Sequence, residues 1–428
     1  MLQKPSMNRW AKAAFVFLIG LGSAHAQSVY TPYAFTNFAG QPGLYGTNDA
    51  TGSPARFGAA LGIAVDNAGN LYVTDQQANT VRKIAPSGVV TTLAGSPGQH
   101  GTNDGTGSTA RFYSPEGVAV GSLGDVYVAD RLNSMIRKIS PDGAVTTLAG
   151  SDAQFNQPAG VAVDTVGNVY VSDTGNFTIR KVTPAGLTTT LAGSAGEAGT
   201  NDGPAAIARF LLPSGIAVDS NTNVYVSDYG NNTIRKITSD GLVTTLAGRP
   251  GYYGSADGAG SAARFGVWPG YGAWGVAVDS AGNVFVADHN NMTIRRVTPP
   301  GVVTTIAGNP GQYGSADGEG STARFNSAYG VAVDSWGNVY VADTLNNRIT
   351  KGAPVLQFDT RAGGADVANS SFHARLIGPS SNNVVIEASA DFQTWLPVQT
   401  NSLDAGCLEM SVPLGASPWE FFRARIAP

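Results

Sequence analysis

The chain has 428 residues, of which 42% are hydrophobic and only 13% are charged, and it carries 55 glycines. An average globular protein has about 25% charged residues. The apolar content is sufficient for a packed core and excludes an intrinsically disordered chain. The abundant glycines indicate many tight turns with positive φ.

The first 26 residues predict a secretory signal peptide. Lys4, Arg9 and Lys12 make a basic start, residues 13–22 an apolar run, and an Ala-His-Ala cleavage site ends at Ala26. We expect cleavage near Ala26 and a mature protein secreted to the periplasm, the cell surface or the exterior. The apolar run is shorter than the roughly 18 residues that a spanning helix needs, although an uncleaved membrane anchor is the alternative. No later stretch is long enough, so we expect no transmembrane span.

The charge of the mature chain argues against a nucleic-acid partner. Removing the three basic leader residues leaves 23 basic and 30 acidic residues, a net charge of −7. Cys407 is the single cysteine, so an intrachain disulfide is excluded, and we expect a buried thiol. We also expect a monomer.

Six copies of one motif organise the chain. The copy from Gly275 to Gly308 holds four short runs rich in β-branched residues, separated by Gly, Pro, Asn and Asp turn signals. The copies begin at Gly62, Gly117, Gly160, Gly215, Gly275 and Gly330. Four strands per unit, repeated at this period, predict an all-β, six-bladed β-propeller.

Residues shared by all the copies are interpreted as structural, because a catalytic centre is single. The second run of each copy ends in an aspartate, and these six are called the blade aspartates: Asp75, Asp130, Asp173, Asp228, Asp288 and Asp343. The third run carries the blade arginines Arg82, Arg137, Arg180, Arg235 and Arg295, with Thr350 at this place in the sixth copy. We expect the carboxylates to accept N–H bonds from the following loop or to pair with the arginines. The Asn of the first hairpin (Asn70, Asn168, Asn223, Asn283, Asn338) indicates turn chemistry.

The N-terminal strand is expected to close the ring. The sixth copy ends after its third strand, whereas Tyr33 to Gly40 matches the fourth strands of the other copies. Closure of this kind removes an exposed sheet edge. The alternative is that Val355 to Thr360 supplies the missing strand.

The repeats resemble the NHL family, whose units contain Gly-Val-Ala-Val-Asp, Gly-Asn-Val-Tyr-Val-Ala-Asp and Asn-x-x-Ile-Arg-Lys. The resemblance covers about residues 29–352. It implies a propeller fold but no single activity, since such propellers include binding modules, sensor domains and a lyase.

The links between the copies carry a second motif, seen in GTNDGTGSTARF at Gly101 to Phe112. One aspartate stands in each of five links, and these are called the link aspartates: Asp49, Asp104, Asp202, Asp257 and Asp317. Calcium is one interpretation, because it takes several oxygen ligands. The other is an Asx-type turn, with the following Phe (Phe57, Phe112, Phe210, Phe265, Phe325) packed between blades. We expect no cofactor, with calcium as the alternative.

The composition changes after Lys351. We expect three parts: a signal peptide (1–26), the propeller (27–352) and a small β-sandwich-like C-terminal module (353–428). The run VVIEASADFQTWLPVQTN, ending in FFRAR, resembles a C-terminal module of exported proteins from some environmental bacteria. Attachment or sorting is one interpretation of this module, and stacked sheets with no site are the other.

Function is expected where the copies differ, on one face that we call the top. It holds the second-to-third turns and the links. The residues after the blade aspartates are Gln76, Arg131, Thr174, Tyr229, His289 and Thr344, and those before each first strand are Leu61, Glu116, Ala159, Ser214, Trp274 and Tyr329. The link GVWPGYGAW before the fifth copy predicts an aromatic platform, for which packing between blades is the alternative. The candidate binding residues are Glu116, Arg131, Tyr229, Trp268, Tyr271, Trp274, His289 and Tyr329.

We therefore expect a non-catalytic binding or scaffold protein whose ligand is a protein, a peptide or a glycan. The alternative is a calcium-type hydrolase or lactonase, or a lyase, at the channel mouth, where Glu116 is the only carboxylate and where Asp130 and nearby Asn residues are candidates to assist it. A zinc lyase would need converging histidines, and the mature chain offers only His100, His289 and His373. No Gly-x-Ser-x-Gly elbow followed by Asp and His is present. A purely structural surface protein is the third interpretation.

Overall fold

The computed structural model describes residues 33–268, 271–355, 357–358, 366–368, 371–377, 383–389, 396–402, 407–413 and 421–426. The predicted signal peptide and the burial of the Cys407 thiol lie outside what it describes. Its contacts divide the chain into two compact units, of which one is Pro32–Pro354 and the other contains Val355–Pro428. In the described part of the chain, no helix is long and apolar enough to cross a membrane.

Pro32–Pro354 folds as the predicted six-bladed propeller, each blade being an antiparallel sheet. Strands one to four of the first three blades are Ala60–Val65, Leu71–Asp75, Thr80–Ile84 and Val89–Gly95; Pro115–Val120, Val126–Asp130, Met135–Ile139 and Ala144–Ala149; and Val161–Val163, Val169–Asp173, Thr178–Val182 and Thr188–Ala192. Those of the last three are Pro213–Val218, Val224–Asp228, Thr233–Ile237 and Leu242–Gly248; Val276–Val278, Val284–Asp288, Thr293–Val297 and Val302–Ala307; and Ala328–Val333, Val339–Asp343, Arg348–Pro354 and Tyr33–Gly40.

The N-terminal strand closes the last blade, as the sequence predicts. Tyr33–Gly40 pairs antiparallel with Arg348–Pro354, in register from Tyr33 opposite Pro354 to Gly40 opposite Arg348. Residues 357–358 pair instead with a strand of the other unit, so the alternative closure by Val355 to Thr360 is wrong. The last blade therefore has all four of its strands, and the ring is closed.

Each long link adds a short fifth strand to the outer edge of the blade that follows it, which the sequence analysis did not predict. These strands are Ala50–Thr51, Gly105–Thr106, Gly203–Pro204, Gly258–Ala259 and Gly318–Glu319. The third blade keeps four strands because its link, residues 151–159, is short. The link motif is thus part of the sheet rather than a loop outside it.

A clamp of charged groups ties each link to its blade. In the second blade the buried Asp130 accepts a bond from the backbone N–H of Tyr113 at 2.7 Å and pairs with Arg137 at 2.9 Å. Arg137 also reaches the link aspartate Asp104 at 2.7 Å. The predicted pairing of the blade aspartates with arginines is confirmed, but the backbone donors lie chiefly in the preceding link rather than in the following loop.

The link aspartates have a different role from the predicted Asx turn. Asp104 binds Arg137 and accepts bonds from the backbone N–H and the hydroxyl of Thr147 on the fourth strand, and the same pattern recurs at Asp49, Asp202 and Asp257. The Asx-turn prediction is therefore wrong. The prediction that the phenylalanines pack between the blades is confirmed by their full burial: Phe57, Phe112, Phe210, Phe265 and Phe325. A blade arginine lies 5.0–5.3 Å from the ring centroid of each of the first four.

The first-to-second turns confirm the predicted Asn chemistry. Asp66 accepts bonds from the backbone N–H groups of Ala68 and Asn70, and the Asn70 amide closes the turn at 2.9 Å. The hydroxyl of Tyr72 donates to the same carboxylate at 3.2 Å. These uniform turns lie on the face opposite the varied one.

The second unit contains two small antiparallel sheets. One holds Gln357–Phe358, Asp366–Ala368, Ser371–Ile377 and Cys407–Pro413. The other holds Asn383–Ser389, Leu396–Ser402 and Phe421–Ile426. The described C-terminal strands are therefore antiparallel, as expected for an all-β module.

Candidate binding site at the channel mouth

The six first strands surround a central channel, and a glycine at the start of each strand keeps them close. A Cβ at Gly62 would collide with the backbone carbonyl of Glu116, and a Cβ at Gly330 would collide with that of Leu61. The four remaining glycines make the same contact with the next blade: Gly117, Gly160, Gly215 and Gly275. Only glycine fits such an approach, so the repeated glycine sets the diameter of the channel.

The residue before each of these glycines stands at one mouth of the channel, and we call the six together the mouth ring. In order around the ring they are Leu61, Glu116, Ala159, Ser214, Trp274 and Tyr329. Together with residues of the six first strands, they line a recess at the mouth of the channel. The backbone is sixfold, whereas the side chains are all different.

The order of residues around the mouth ring places an acidic residue and an aromatic residue on opposite sides. Glu116 belongs to the second blade and Trp274 to the fifth, so three blade steps separate them in either direction. Ala159 and Ser214 lie between them on one side, whereas Leu61 and Tyr329 lie between them on the other. Glu116 and Trp274 therefore occupy opposite positions in the ring, with two small side chains between them on one side.

Glu116 is buried, with 2% of its side chain exposed, and it pairs with Arg131 at 2.9 Å through Oε2. Arg131 comes from the top turn of the same blade, where it also donates to Gln157 Oε1 at 3.1 Å. Burial raises the pKa of Glu116 to about 7, against the lowering effect of Arg131. Two buried atoms of this pair have no hydrogen-bond partner: Glu116 Oε1, and Nε of Arg131. Both atoms are enclosed by protein.

Aromatic side chains form the opposite wall. The Trp274 ring packs edge-on against Tyr329, with centroids 5.3 Å apart, and against Tyr229 at 4.9 Å. Tyr271 packs edge-on against the far side of Tyr229 at 6.0 Å and is 54% exposed. Trp274 and Tyr329 line the recess itself. Burial raises the pKa of Tyr329, as does the negative charge of Glu116, consistent with a phenol and a carboxylate that share this mouth.

His289 lies behind this wall rather than on the surface. Its side chain is 3% exposed, and its ring lies 4.5 Å from that of Tyr329 and 6.0 Å from that of Trp274. The imidazole donates a hydrogen bond to the backbone of Gly272, and its Nδ1 has no partner. Burial lowers the pKa of His289 to about 4, so the ring is neutral at pH 7 and supports the wall by packing.

The expected aromatic platform separates into two groups. Trp268 is 64% exposed, and its ring packs with that of Tyr253 at a centroid distance of 6.3 Å. Tyr252 lies against the guanidinium of Arg249 at 4.0 Å. The long link thus places Trp274 in the mouth ring and leaves Trp268 and Tyr271 exposed.

The carboxylates near the mouth are already engaged. Asp130, the expected assistant to Glu116, is bound by Tyr113, Asn133 and Arg137. Among the described residues, no cluster of three or more His, Cys, Asp or Glu is arranged to hold a metal ion.

Comparison with known proteins supports the fold. The NHL repeat family model matches residues 112–139, 155–182, 210–237 and 271–296, one segment in each of blades two to five. The resemblance inferred from the repeats is therefore confirmed.

One curated relative shares only a short stretch with the chain. It is the Arabidopsis thaliana protein SUPPRESSOR OF QUENCHING 1, chloroplastic, which is 36% identical over 96 residues. The match covers 22% of this chain and 9% of the Arabidopsis protein, so the chain spans a small part of that relative's length.

Two solved structures from Bacteroides share the propeller architecture. A protein of unknown function from Bacteroides thetaiotaomicron has a TM-score of 0.60 and 22% identity, over 76% of each chain. An auxiliary nutrient binding protein from Bacteroides ovatus has a TM-score of 0.59 and 21% identity, over 76% of this chain and 78% of that one. At this identity the likeness is one of fold.

Proposed function

Because the chain is an NHL-repeat β-propeller protein, we propose that it is an exported binding protein that holds its ligand at the channel mouth. The observation that carries this proposal is the contrast within the mouth ring. A sixfold backbone there presents a buried carboxylate on one side, at Glu116, and an aromatic wall on the other, at Trp274 and Tyr329. Sites for small ligands combine apolar walls with a few placed polar groups in this way.

Glu116 is among the residues that line the recess, and Arg131 holds its carboxylate in place there. The exposed Trp268 and Tyr271 extend the surface outward from the mouth, toward longer glycans or peptides.

Export is part of the proposal and depends on the leader, residues 1–26. One structural relative is described as an auxiliary nutrient-binding protein, and a role in ligand capture outside the cytoplasm is consistent with that description.

A metal-assisted hydrolase at the mouth is less well supported. Glu116 has the raised pKa expected of a general acid or base. However, Asp130 is held by three protein donors, and Glu116 is the only carboxylate in the mouth ring. Binding therefore accounts for more of the geometry than catalysis does.

Glycan and peptide arrays test the proposal with the full mature chain. The wild type should bind at least one class of probe, and Trp274→Ala and Glu116→Gln should each abolish most of the signal. Trp336→Ala is the matched control, because Trp336 is 55% exposed and lies in a first-to-second turn on the opposite face. Equal binding by the wild type and all three variants would contradict a site at the mouth.

A further inference from the structure

The outer edge of the third blade is open. Its fourth strand, Thr188–Ala192, pairs with Thr178–Val182 on one side, and within the part of the chain that the structure describes no strand pairs with its other side. In each of the other five blades a two-residue strand from the preceding link occupies this position. Thr188–Ala192 contains neither a charged residue nor a proline, which are two of the features that protect a free sheet edge from pairing.

The backbone groups of Thr188 and Thr190 point outward from this edge. The N–H of Thr183, before the turn, donates to the carbonyl of Leu187 at 2.9 Å, so the backbone of Leu187 faces the third strand. Backbone groups of successive strand residues point to alternate sides, and those of Thr188 and Thr190 therefore face away from it. Thr190 lies opposite the blade arginine, as Thr147 does in the second blade. There the N–H of Thr147 donates to the link aspartate at 3.3 Å.

The clamp of the third blade also lacks one of its two carboxylates. In each of the other five blades the arginine pairs with a blade aspartate and with a link aspartate, the latter at 2.5–2.9 Å. Among the described residues Arg180 pairs only with the blade aspartate Asp173, at 3.0 Å, and Asp152 of the short link forms no ion pair with it. The Arg180 side chain is 14% exposed, whereas the other five are 2% exposed or less. The guanidinium is therefore accessible to a second carboxylate.

The other blades show which kind of segment fits this edge. Each link strand is extended, and it begins directly after the link aspartate, as Gly105–Thr106 begins after Asp104. The residue that follows the aspartate is glycine in four links and alanine in the first, so a small side chain is common to all five. These five links already pair with their own blades. A folded second copy of the chain therefore has no free link to offer, and the matching segment must come from a different protein.

We propose that the open edge of the third blade binds an extended segment of another protein, in which an aspartate is followed by glycine or alanine. The segment adds a fifth strand to the sheet by β-augmentation. Its aspartate pairs with Arg180 and accepts hydrogen bonds from the N–H and the hydroxyl of Thr190, as the link aspartates do in the other blades. This surface is formed by a fourth strand, whereas the mouth is formed by the first strands, so the inference does not depend on the proposed function.

A peptide with the sequence of one link tests the proposal. Fluorescein-labelled GTNDGTGSTARF, which is residues 101–112, is titrated with the full mature chain, and binding is followed by fluorescence anisotropy. Binding should saturate with a Kd below about 1 mM. The same peptide with Asp104→Asn should bind about tenfold or more weakly, because it cannot form the ion pair with Arg180.

Two variants of the chain test the position of the peptide. Thr190→Glu places a carboxylate opposite Arg180, where it fills the clamp and repels the aspartate of the peptide, so the Kd should rise about tenfold or more. Thr189→Glu is the matched control, because it adds the same charge on the other face of the strand, and its Kd should change less than about threefold. Both threonines are exposed, so both variants should keep the wild-type melting temperature.

Hydrogen exchange locates the bound peptide on the sheet. Amides of residues 187–192 should exchange more slowly with saturating peptide, because the N–H groups of Thr188 and Thr190 become hydrogen-bonded. Protection of a fourth strand in another blade instead would show that the peptide displaces a link, and it would overturn the proposal. Equal affinities of the aspartate and asparagine peptides, an equal loss in Thr190→Glu and Thr189→Glu, or no saturable binding up to about 1 mM would also overturn it.

Discussion

Arg348 reaches the blade aspartate Asp343 through Nε at 2.8 Å, from a position two residues earlier on its strand than the arginine of every other blade. The strand register shows the shift: Arg82 lies opposite Val73 in the first blade, and Thr350 occupies that place opposite Val341 in the sixth. Side chains two residues apart share one face of a strand, so the guanidinium of Arg348 can occupy the same clamp. Arg348 also pairs with the link aspartate Asp317 at 2.9 Å.

This shift predicts that an arginine at position 350 can replace Arg348 in the ion pairs with Asp343 and Asp317. Arg348→Thr should destabilise the protein by about 3–5 kcal/mol, because it leaves the fully buried Asp343 without its cation. Adding Thr350→Arg should recover at least half of that loss, because the pair of changes recreates the Thr-x-Arg pattern that four of the other five blades have. Urea unfolding of the wild type, both single variants and the double variant measures the coupling. Strictly additive effects would show that position 350 cannot serve the clamp.

Ring closure by the N-terminal strand predicts a large effect at Phe35. This side chain is 2% exposed and packs edge-on against Phe325, with centroids 5.2 Å apart. Phe35→Ala should cost about 3–5 kcal/mol, through lost burial and the cavity left behind. Thr36→Ala, at an exposed position on the same strand, should change the unfolding free energy by less than about 0.5 kcal/mol. Similar urea midpoints for the two variants would contradict closure by this strand.

The raised pKa of Glu116 predicts that Glu116→Gln stabilises the protein more as the pH rises. Its folded-state pKa is raised from 4.5 to about 7, so the folded state binds the proton more tightly than the unfolded state does. Wild-type stability from this group is therefore greatest below pH 4.5 and falls as the pH rises to about 7. The free energy of unfolding of the variant, relative to wild type, should increase by up to about 3 kcal/mol between pH 4.5 and pH 8.

Urea unfolding of the wild type and Glu116→Gln at pH 4.5, 6, 7 and 8 measures this dependence. A difference in unfolding free energy that stays constant with pH would rule out a strongly perturbed carboxyl at the mouth.

The lowered pKa of His289 predicts a loss of stability as the pH falls, which is the opposite pH dependence to that of Glu116. Burial lowers its pKa from 6.5 to about 4, so its contribution to stability is present above pH 6.5 and is lost as the pH falls toward 4. His289→Gln, which cannot titrate, should lose less stability than wild type over that interval, by up to about 3 kcal/mol. Denaturant unfolding at pH 7, 5.5 and 4.5 measures this difference. If the unfolding free energies of the wild type and the variant fall equally with pH, the imidazole is exposed to solvent rather than buried.

Much of the fold follows from the sequence because each local pattern occurs six times. The blade aspartates and glycines mark strand ends in every copy, and the match of Tyr33 to Gly40 with other fourth strands identifies the closing strand. The Asp–Arg pairing could be predicted for the same reason. The fifth strands could not, since two residues such as Ala50 and Thr51 carry no periodic signal.

Less of the candidate site than of the fold could be predicted from the sequence. The symmetry of the copies indicates which positions ring the mouth, among them Glu116, Trp274 and Tyr329. It does not show that Arg131 pairs with Glu116, that His289 is buried against Trp274, or that the ring of Trp268 packs with that of Tyr253. These relations depend on side-chain directions in turns and links of unequal length. The sequence did contain a clue that Arg348 takes the place of the missing blade arginine at position 350. Arg348 lies two residues earlier on the strand, and strand residues at this spacing share a face.

Ligand-induced stabilisation tests the central claim most directly. A probe that binds the mouth, added at about 100 times its Kd, should stabilise the wild type by about 2.7 kcal/mol and raise its melting temperature. Trp336→Ala should show the full increase, whereas Trp274→Ala should show little or none at the same probe concentration. An increase of equal size in both variants would contradict binding at the channel mouth.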